Sequence, residues 1–393
     1  MREHKTIWTK KFILFLIMVA FYFLNNYMLN PILVGYANSM GGAGTIVGLI
    51  SGAMSGVALF LTPVAGPFAD RFNRKTLTLI SFSLLLIANV ISFLAQTTQI
   101  LLVGRIIQGI GFAFASVVLA TVVSTMFPNE VIGRAIGVSA AVQALAQVVS
   151  PTGGILLRDA FGYKAVYVVT IVLMAMCLVM LITIKDFGGK QPSTEAGRKF
   201  SLNSIISVPG IPVALTSVIC GFLLQIVTNY VDPFAQHTGH TAGVAFFYTV
   251  YALSLLLSRF AFSKAMDRLS LGVFALCCCP VTILAFWLIQ VQTQAWVLLL
   301  GGVLCAIGLG TLQIVAQVAL VKNVPFNQKG VANSTYYIAM NLGHFLGGYI
   351  GGLWIEGSHA DSMFYYSMIY AAIPVVCALV FKRKYFAPPT QNT

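Results

Sequence analysis

Polar residues divide this chain into twelve apolar runs. Their limits fall near 12–34, 44–69, 76–96, 99–126, 132–157, 163–184, 207–231, 242–263, 271–291, 295–321, 329–353 and 363–381. Each run is close to the roughly 20 residues that an α-helix needs to cross the hydrocarbon core of a bilayer. The pattern predicts an all-α integral membrane protein with twelve transmembrane helices. The first run follows a basic N-terminus and so imitates a signal peptide. It is too long for one and lacks a small-residue cleavage pattern.

Composition supports the membrane assignment. Of 393 residues, 58% are hydrophobic and only 8% charged, against about a quarter charged in soluble domains. A soluble fold this apolar would need a core larger than the chain can enclose. The net charge of +13 would suggest nucleic acid or acidic partners in a soluble protein. Here the placement of the charge explains it. With both termini inside, 19 of the 23 Lys and Arg residues fall in cytoplasmic segments, and only Arg158 and Lys164 fall outside. Arg105 and Arg259 lie within spans. Such a bias sets the orientation of a polytopic protein, so no nucleic-acid partner is needed. The seven cysteines read as small apolar residues, since none has the separated pairing of zinc ligands.

The longest cytoplasmic connection, 185–206, is rich in Gly, Pro and Ser and reads as a linker. It separates an N-terminal six-helix unit, 1–184, from a C-terminal one, 207–393. The two units echo each other. Asp70-Arg71 after the second span matches Asp267-Arg268 after the eighth, 197 residues on. Gly109 and Gly111 in the fourth span pair with Gly308 and Gly310 in the tenth, an offset of 199. Gly153-Gly154 in the fifth answers Gly347-Gly348 in the eleventh. Duplicated bundles of this kind place one site between two rocking halves.

Three motifs resemble those of the major facilitator superfamily. Gly66-Pro-Phe-Ala-Asp70-Arg71-Phe-Asn73-Arg74-Lys75 resembles its G-x-x-x-D-R-x-G-R-[RK] loop, with Asn73 for the usual Gly. Arg105-Ile-Ile-Gln108-Gly109-Ile-Gly111 is similar to its R-x-x-Q-G-x-G signature in the fourth span. Ser150-Pro151-Thr152-Gly153-Gly154 resembles the G-P-x-x-G-G signature of antiporters in the fifth. The resemblance implies two pseudo-symmetric six-helix bundles and a secondary transporter, and the last motif points to the drug:proton antiporter branch, meaning export.

The resemblance also implies roles. Gly66, Asp70, Arg71 and Arg74, with Asp267 and Arg268 in the second half, would form cytoplasmic gating contacts. Gly137, Pro151, Gly153 and Gly154 would bend the fifth span and let it pack closely, as small residues do. Arg105 would contact the first span and take part in proton coupling. By the offset of 199, Leu304 occupies its position in the tenth span.

The residues themselves add candidates. None of the ten carboxylates lies mid-span. Asp232, near the outer end of the seventh span, is the best proton carrier, with a solvated residue before Pro233 as the alternative. His344 in the eleventh span also titrates near neutral pH, or packs through hydrogen bonds. Asn25, Asn26, Gln143, Gln147, Gln225, Asn229, Gln313, Gln317 and Asn341 are expected to line a central cavity or to tie helices together. Gln143 and Gln147, Gln225 and Asn229, and Gln313 and Gln317 are spaced four apart, so each pair shares a face. Arg259 would attract a carboxylate or snorkel to the interface. Few fixed charges favour a neutral, cationic or zwitterionic solute. His237 and His240 near Asp232 are too loose a pattern to define a zinc site; no metal and no cofactor are expected.

The function expected is proton-coupled efflux of a small amphipathic organic compound from the cytoplasmic membrane, by a monomer in the bilayer. The partners are that substrate and the proton. The alternative is transport of a hydrophilic solute such as a sugar or metallophore. A non-transporting receptor would need a soluble domain that no loop supplies, and the spans hold no nucleophile–base constellation for an enzyme.

Overall fold

The computed structural model describes residues 7–127, 129–184, 187, 210–322 and 329–385. The 185–206 linker lies outside them apart from Phe187. The described residues form twelve long helices and no strand. The first six are Lys10–Ser39, Gly44–Arg71, Arg74–Leu94, Thr98–Met126, Asn129–Phe161 and Tyr163–Thr183. The second six begin with Ile211–Thr238, Val244–Arg268 and Leu271–Gln290. The tenth is Ala295–Cys305 continued through a π-turn, Ala306–Gly310, into Thr311–Lys322. Lys329–Ile355 and Met363–Val380 complete the set.

Local chemistry fixes the helix ends. Thr9 accepts the Phe12 N–H at 3.2 Å and caps the first helix. Asn73 accepts the Lys75 and Thr76 N–H groups at 2.9 and 3.3 Å and caps the third. The residue that departs from the family's loop pattern is therefore a good N-cap. Gly162 alone separates the fifth helix from the sixth, at φ +81°. Only glycine adopts that conformation without strain.

Several helices run past their expected limits, and two of these extensions carry charged residues into the bundle. The fifth continues through Arg158 to Phe161 and the seventh through Asp232 to Thr238. Arg158 and Asp232 are thus helical residues rather than loop residues. Pro151 and Pro233 sit inside these helices. Each lacks an N–H, which spares a donor but leaves one carbonyl of the preceding turn unpaired.

Eleven helices among the described residues are long and apolar enough to cross a membrane. Lys329–Ile355 has the length but not the apolarity, because it carries Asn341, His344 and four Gly between 347 and 352. Its position accounts for this: it is wedged between the second and seventh helices. Gly343 and Gly347 meet the Val218 and Phe222 backbone on one side. Gly348 and Gly352 meet Gly52 and Gly48 on the other. Small residues let helix backbones touch where lipid supplies no hydrophobic drive.

The duplication is visible in the contacts. Gly104 and Gly111 of the fourth helix press on Ala88, Ser81 and Leu85 of the third. Gly301 and Gly308 of the tenth press on Ala285, Cys278 and Thr282 of the ninth, every residue 197 positions later. The repeat therefore runs at 197 through these spans, and the pairing of Gly109 with Gly308 is two residues out of register. In this register the counterpart of Arg105 is Gly302, not Leu304. Between halves, the second helix meets the eleventh and the fifth meets the eighth, the two crossings that a pseudo-twofold axis exchanges.

Candidate functional site

Polar bonds between the halves gather toward one end of the bundle, the end away from the chain termini. The seventh helix presents Gln225 and Asn229 to Ser51 of the second. Gln225 donates to the Ser51 carbonyl at 2.9 Å, and Asn229 donates to its hydroxyl at 2.9 Å. Within the second half, Tyr230 of the seventh helix donates its hydroxyl to the Gly348 carbonyl of the eleventh. Thr152 of the fifth helix donates to the Ala245 carbonyl of the eighth at 2.6 Å and meets Thr249. Glu356, just past the eleventh helix, accepts the Gly44 N–H at the start of the second. A carboxylate is favoured there by the helix dipole.

The strongest contact across the seam is ionic. Arg158 of the fifth helix grips Asp232 of the seventh with both terminal nitrogens, one of them at 3.1 Å. Gln236 donates to the same carboxylate at 3.0 Å. Asp159 takes the Arg158 Nε–H at 2.9 Å, and the guanidinium lies 5.9 Å from the Tyr163 ring centroid. Tyr163 and Tyr248 are within electrostatic reach of Asp232. The paired side chains are only 9% and 3% exposed. Asp232 is thus neither solvated nor alone. A bidentate guanidinium–carboxylate pair is among the stronger hydrogen-bonded contacts, and removing one partner of a buried pair costs about 3–5 kcal/mol.

The nine amide candidates separate by burial. Asn25, Asn26, Gln225 and Asn229 are buried. Asn25 accepts from Asn89 at 2.6 Å and ties the first helix to the third, whereas Asn26 donates to the Tyr22 carbonyl of its own helix at 2.7 Å. Gln143, Gln147, Gln313, Gln317 and Asn341 are half-buried. Gln143 donates to the Tyr27 hydroxyl at 3.3 Å, and Gln317 to Asn333 at 3.0 Å. The buried Asn229 Oδ1 has no partner among the described residues.

Arg105 is 2% exposed. It donates to the Ile50 carbonyl of the second helix at 3.3 Å and to Gln108 at 2.6 Å. The resemblance implied a contact with the first span; these bonds go to the second and to the fourth itself. Of the loop motif, Gly66, Asp70 and Arg71, and with them Asp267 and Arg268, have side chains outside the described residues. Arg74 is buried and donates to Thr125 of the fourth helix at 2.8 Å. Lys75 donates to the Ile184 carbonyl at 2.7 Å, at the end of the sixth. Both residues knit the first half together. A Cβ on Gly154 would collide with the Met28 carbonyl, whereas one on Gly153 would stay 3.8 Å from Met28 Cε, and Gly137 faces open space. His344 is half-buried. His237 lies 3.0 Å from Asp361, both exposed. Among the described residues no three metal-ligating side chains converge.

Sequence reasoning missed Arg158. The available signal was the exception to the charge bias: an Arg on the outer side, seven residues beyond Pro151, has a reason to be there. Ser51 and Glu356 carried no such mark.

A duplicated six-helix unit that crosses the membrane and meets its copy along a polar, ion-paired seam defines a polytopic membrane transporter. The family model of the Major Facilitator Superfamily matches residues 15–289 and 234–393. The chain belongs to that superfamily and is a transporter rather than an enzyme. It is 25% identical over 349 residues to the inner membrane transport protein YajR of Escherichia coli, covering 85% of this chain and 74% of the relative. It is 24% identical to the MFS-type transporter YhhS of the same organism, covering 82% and 80%. The fold also matches the nucleoside transporter NupG with a TM-score of 0.76 at 14% identity, over 96% of this chain and 99% of that one.

Proposed function

We propose that the chain exports a small amphipathic organic compound in exchange for protons, by alternating access between two halves. The halves are 1–184 and 207–393, joined by the cytoplasmic linker 185–206. The charge distribution favours both termini inside; the end where the halves meet through polar bonds then faces outward, as in an inward-facing state. The observation that carries the reading is the buried Arg158–Asp232 pair, a titratable latch between the halves on the closed side. While the two are paired, the guanidinium of Arg158 favours the ionised form of the carboxylate. When the outer side opens, the two part and Asp232 takes a proton from the medium. The access states then bind different numbers of protons, as coupling requires. Partial matches also favour export: 30% identity over 149 residues to the multidrug resistance protein Stp of Mycobacterium tuberculosis covers 38% of this chain and 27% of that protein. The half-buried amides of the fifth, tenth and eleventh helices support the second reading, a hydrophilic solute.

Inverted membrane vesicles test these readings together. An imposed pH gradient, acid inside, is expected to drive accumulation of an amphipathic compound from a panel that also contains sugars and amino-acid-derived chelators. Accumulation of a sugar or chelator alone would favour the second reading. Uptake insensitive to the gradient for every compound would remove proton coupling. For orientation, a cysteine at Ser39 with exposed Cys277 replaced is expected to react with an impermeant thiol reagent on intact cells. Reaction only after permeabilisation would reverse the topology.

A further inference from the structure

The eighth helix turns one basic side chain toward the interior. Its buried residues Tyr248, Tyr251, Leu255 and Ser258 share one face, and exposed Leu253 and Leu257 share the opposite one. Arg259 follows Tyr251 by eight residues and Leu255 by four, so it belongs to the buried face. It is exposed all the same. Its exposure on that face means that neighbouring side chains do not enclose it. Snorkelling to the cytoplasmic surface is disfavoured by geometry. Helical side chains lean toward the helix N-terminus, which here is the outer end. The helix also runs nine residues beyond Arg259 to Arg268, or about 13 Å at 1.5 Å per residue.

The surroundings of this guanidinium come from both halves. Tyr27 of the first helix, Tyr251 of the eighth and Tyr336 of the eleventh are within its electrostatic reach. Gln143 of the fifth helix bonds Tyr27 at 3.3 Å, and Gln313 of the tenth lies beside Tyr336. The described ion pairs join Arg158 to Asp159 and Asp232, and His237 to Asp361. Among the described residues, therefore, no carboxylate neutralises Arg259. A cation within a membrane span costs at least ~2.5 kcal/mol and is ordinarily paired. Here phenols and amides flank it, and all of them can donate to an anion.

We propose that Arg259, Tyr27, Tyr336 and Gln143 form the subsite for a single carboxylate on the transported compound, so that the substrate class is the amphipathic organic monoanion. The planar fork of a guanidinium matches a carboxylate at two points. Tyr27, half-buried and stacked on Phe23, offers apolar surface to the rest of the molecule beside its hydroxyl. Recognition by both halves ties occupancy to their relative position. The inference replaces the expectation of a neutral, cationic or zwitterionic solute, and it rests on the transport reading for its physiological meaning only.

Binding tests it without transport. Purified protein in detergent is titrated with 4-phenylbutyrate, naphthylacetate and decanoate, with the methyl ester and the amine analogue of each, and with phenyl phosphate, while thermal unfolding is followed. The carboxylates are expected to bind at least tenfold more tightly than their esters and amines. Arg259→Gln is expected to erase that preference with little change in the unliganded melting temperature, and Arg259→Lys to keep part of it. Equal affinity for carboxylate and ester, an undiminished preference in Arg259→Gln, or a preference for phenyl phosphate alone would overturn the proposal. So would a lack of binding by every carboxylate. Carboxylate-selective binding with no pH-driven transport in vesicles would leave this subsite standing and remove the proton-coupled reading instead.

Discussion

Asp232→Asn is expected to abolish pH-driven transport, at least a hundredfold, while downhill exchange of the solute continues. The amide fills the same space but, like the protonated acid, lacks the charge that grips Arg158, and it cannot carry the proton that distinguishes the two access states. The groups facing Asp232 make the expectation specific. Arg158 and Asp159 come from the fifth helix, Tyr163 from the sixth, Tyr248 from the eighth and Gln236 from its own turn. Among these, Asp232 is the buried carboxylate, while Asp159 is 57% exposed. Asp159→Asn is therefore expected to leave coupling nearly intact. Arg158→Gln is expected to be worse than Asp232→Asn for folding, because it strands a buried charge at about 3–5 kcal/mol. Pairing the two substitutions should restore yield without coupling, the non-additivity expected of residues in direct contact. Full pH-driven uptake by Asp232→Asn in proteoliposomes would remove this residue from coupling.

Gly348→Ala is expected to lower transport tenfold or more, although it adds one methyl group. Its Cβ would lie 2.5 Å from Gly52 N and 2.6 Å from Gly52 Cα. Both are backbone atoms of a helix from the other half, and neither can step aside as a side chain can. Overpacking of this kind costs about 1–3 kcal/mol. The contact crosses between halves, so the cost falls on the outer-closed state and not on either bundle alone. The population shifts toward the outer-open state by about 5- to 150-fold at the usual conversion of free energy to equilibrium. Gly153→Ala is the control: its Cβ would meet only Met28 Cε, at 3.8 Å, and transport should stay within a factor of two. Wild-type turnover in Gly348→Ala would show that the second and eleventh helices do not need this approach.

The fold was legible because one physical requirement dominates it. A bilayer demands runs of apolar residues, and twelve such runs were countable without knowing any contact. Where the estimate slipped, it slipped at ends. The fifth and seventh helices run on through Arg158 and Asp232 because these charges neutralise each other inside the bundle, which no single-helix pattern reveals. The amides illustrate the same limit. Gln225 and Asn229 share a face, as their spacing implies, but nothing in the spacing names Ser51 as their partner. Arg259 was ambiguous between lipid interface and interior because the two interpretations differ only in which face of the eighth helix points inward. The glycines were readable as small residues and became informative once their neighbours were known. The register of the repeat, 197 rather than 199 in the fourth and tenth helices, emerged from those neighbours.

The central claim is that protonation at the outer latch moves the two halves in opposite senses at the two ends of the bundle. Spin labels measure this directly, without a known substrate. Cys277 is the one exposed cysteine, so its replacement gives a workable background. One label pair, at Ser39 and His240, spans the outer end. The other, at exposed Phe72 and Leu269, spans the cytoplasmic end. On lowering the pH, the outer distance is expected to lengthen as the inner one shortens. Asp232→Asn should show the low-pH distribution at every pH. Distances at both ends that ignore pH, or that change together in the same direction, would contradict the account.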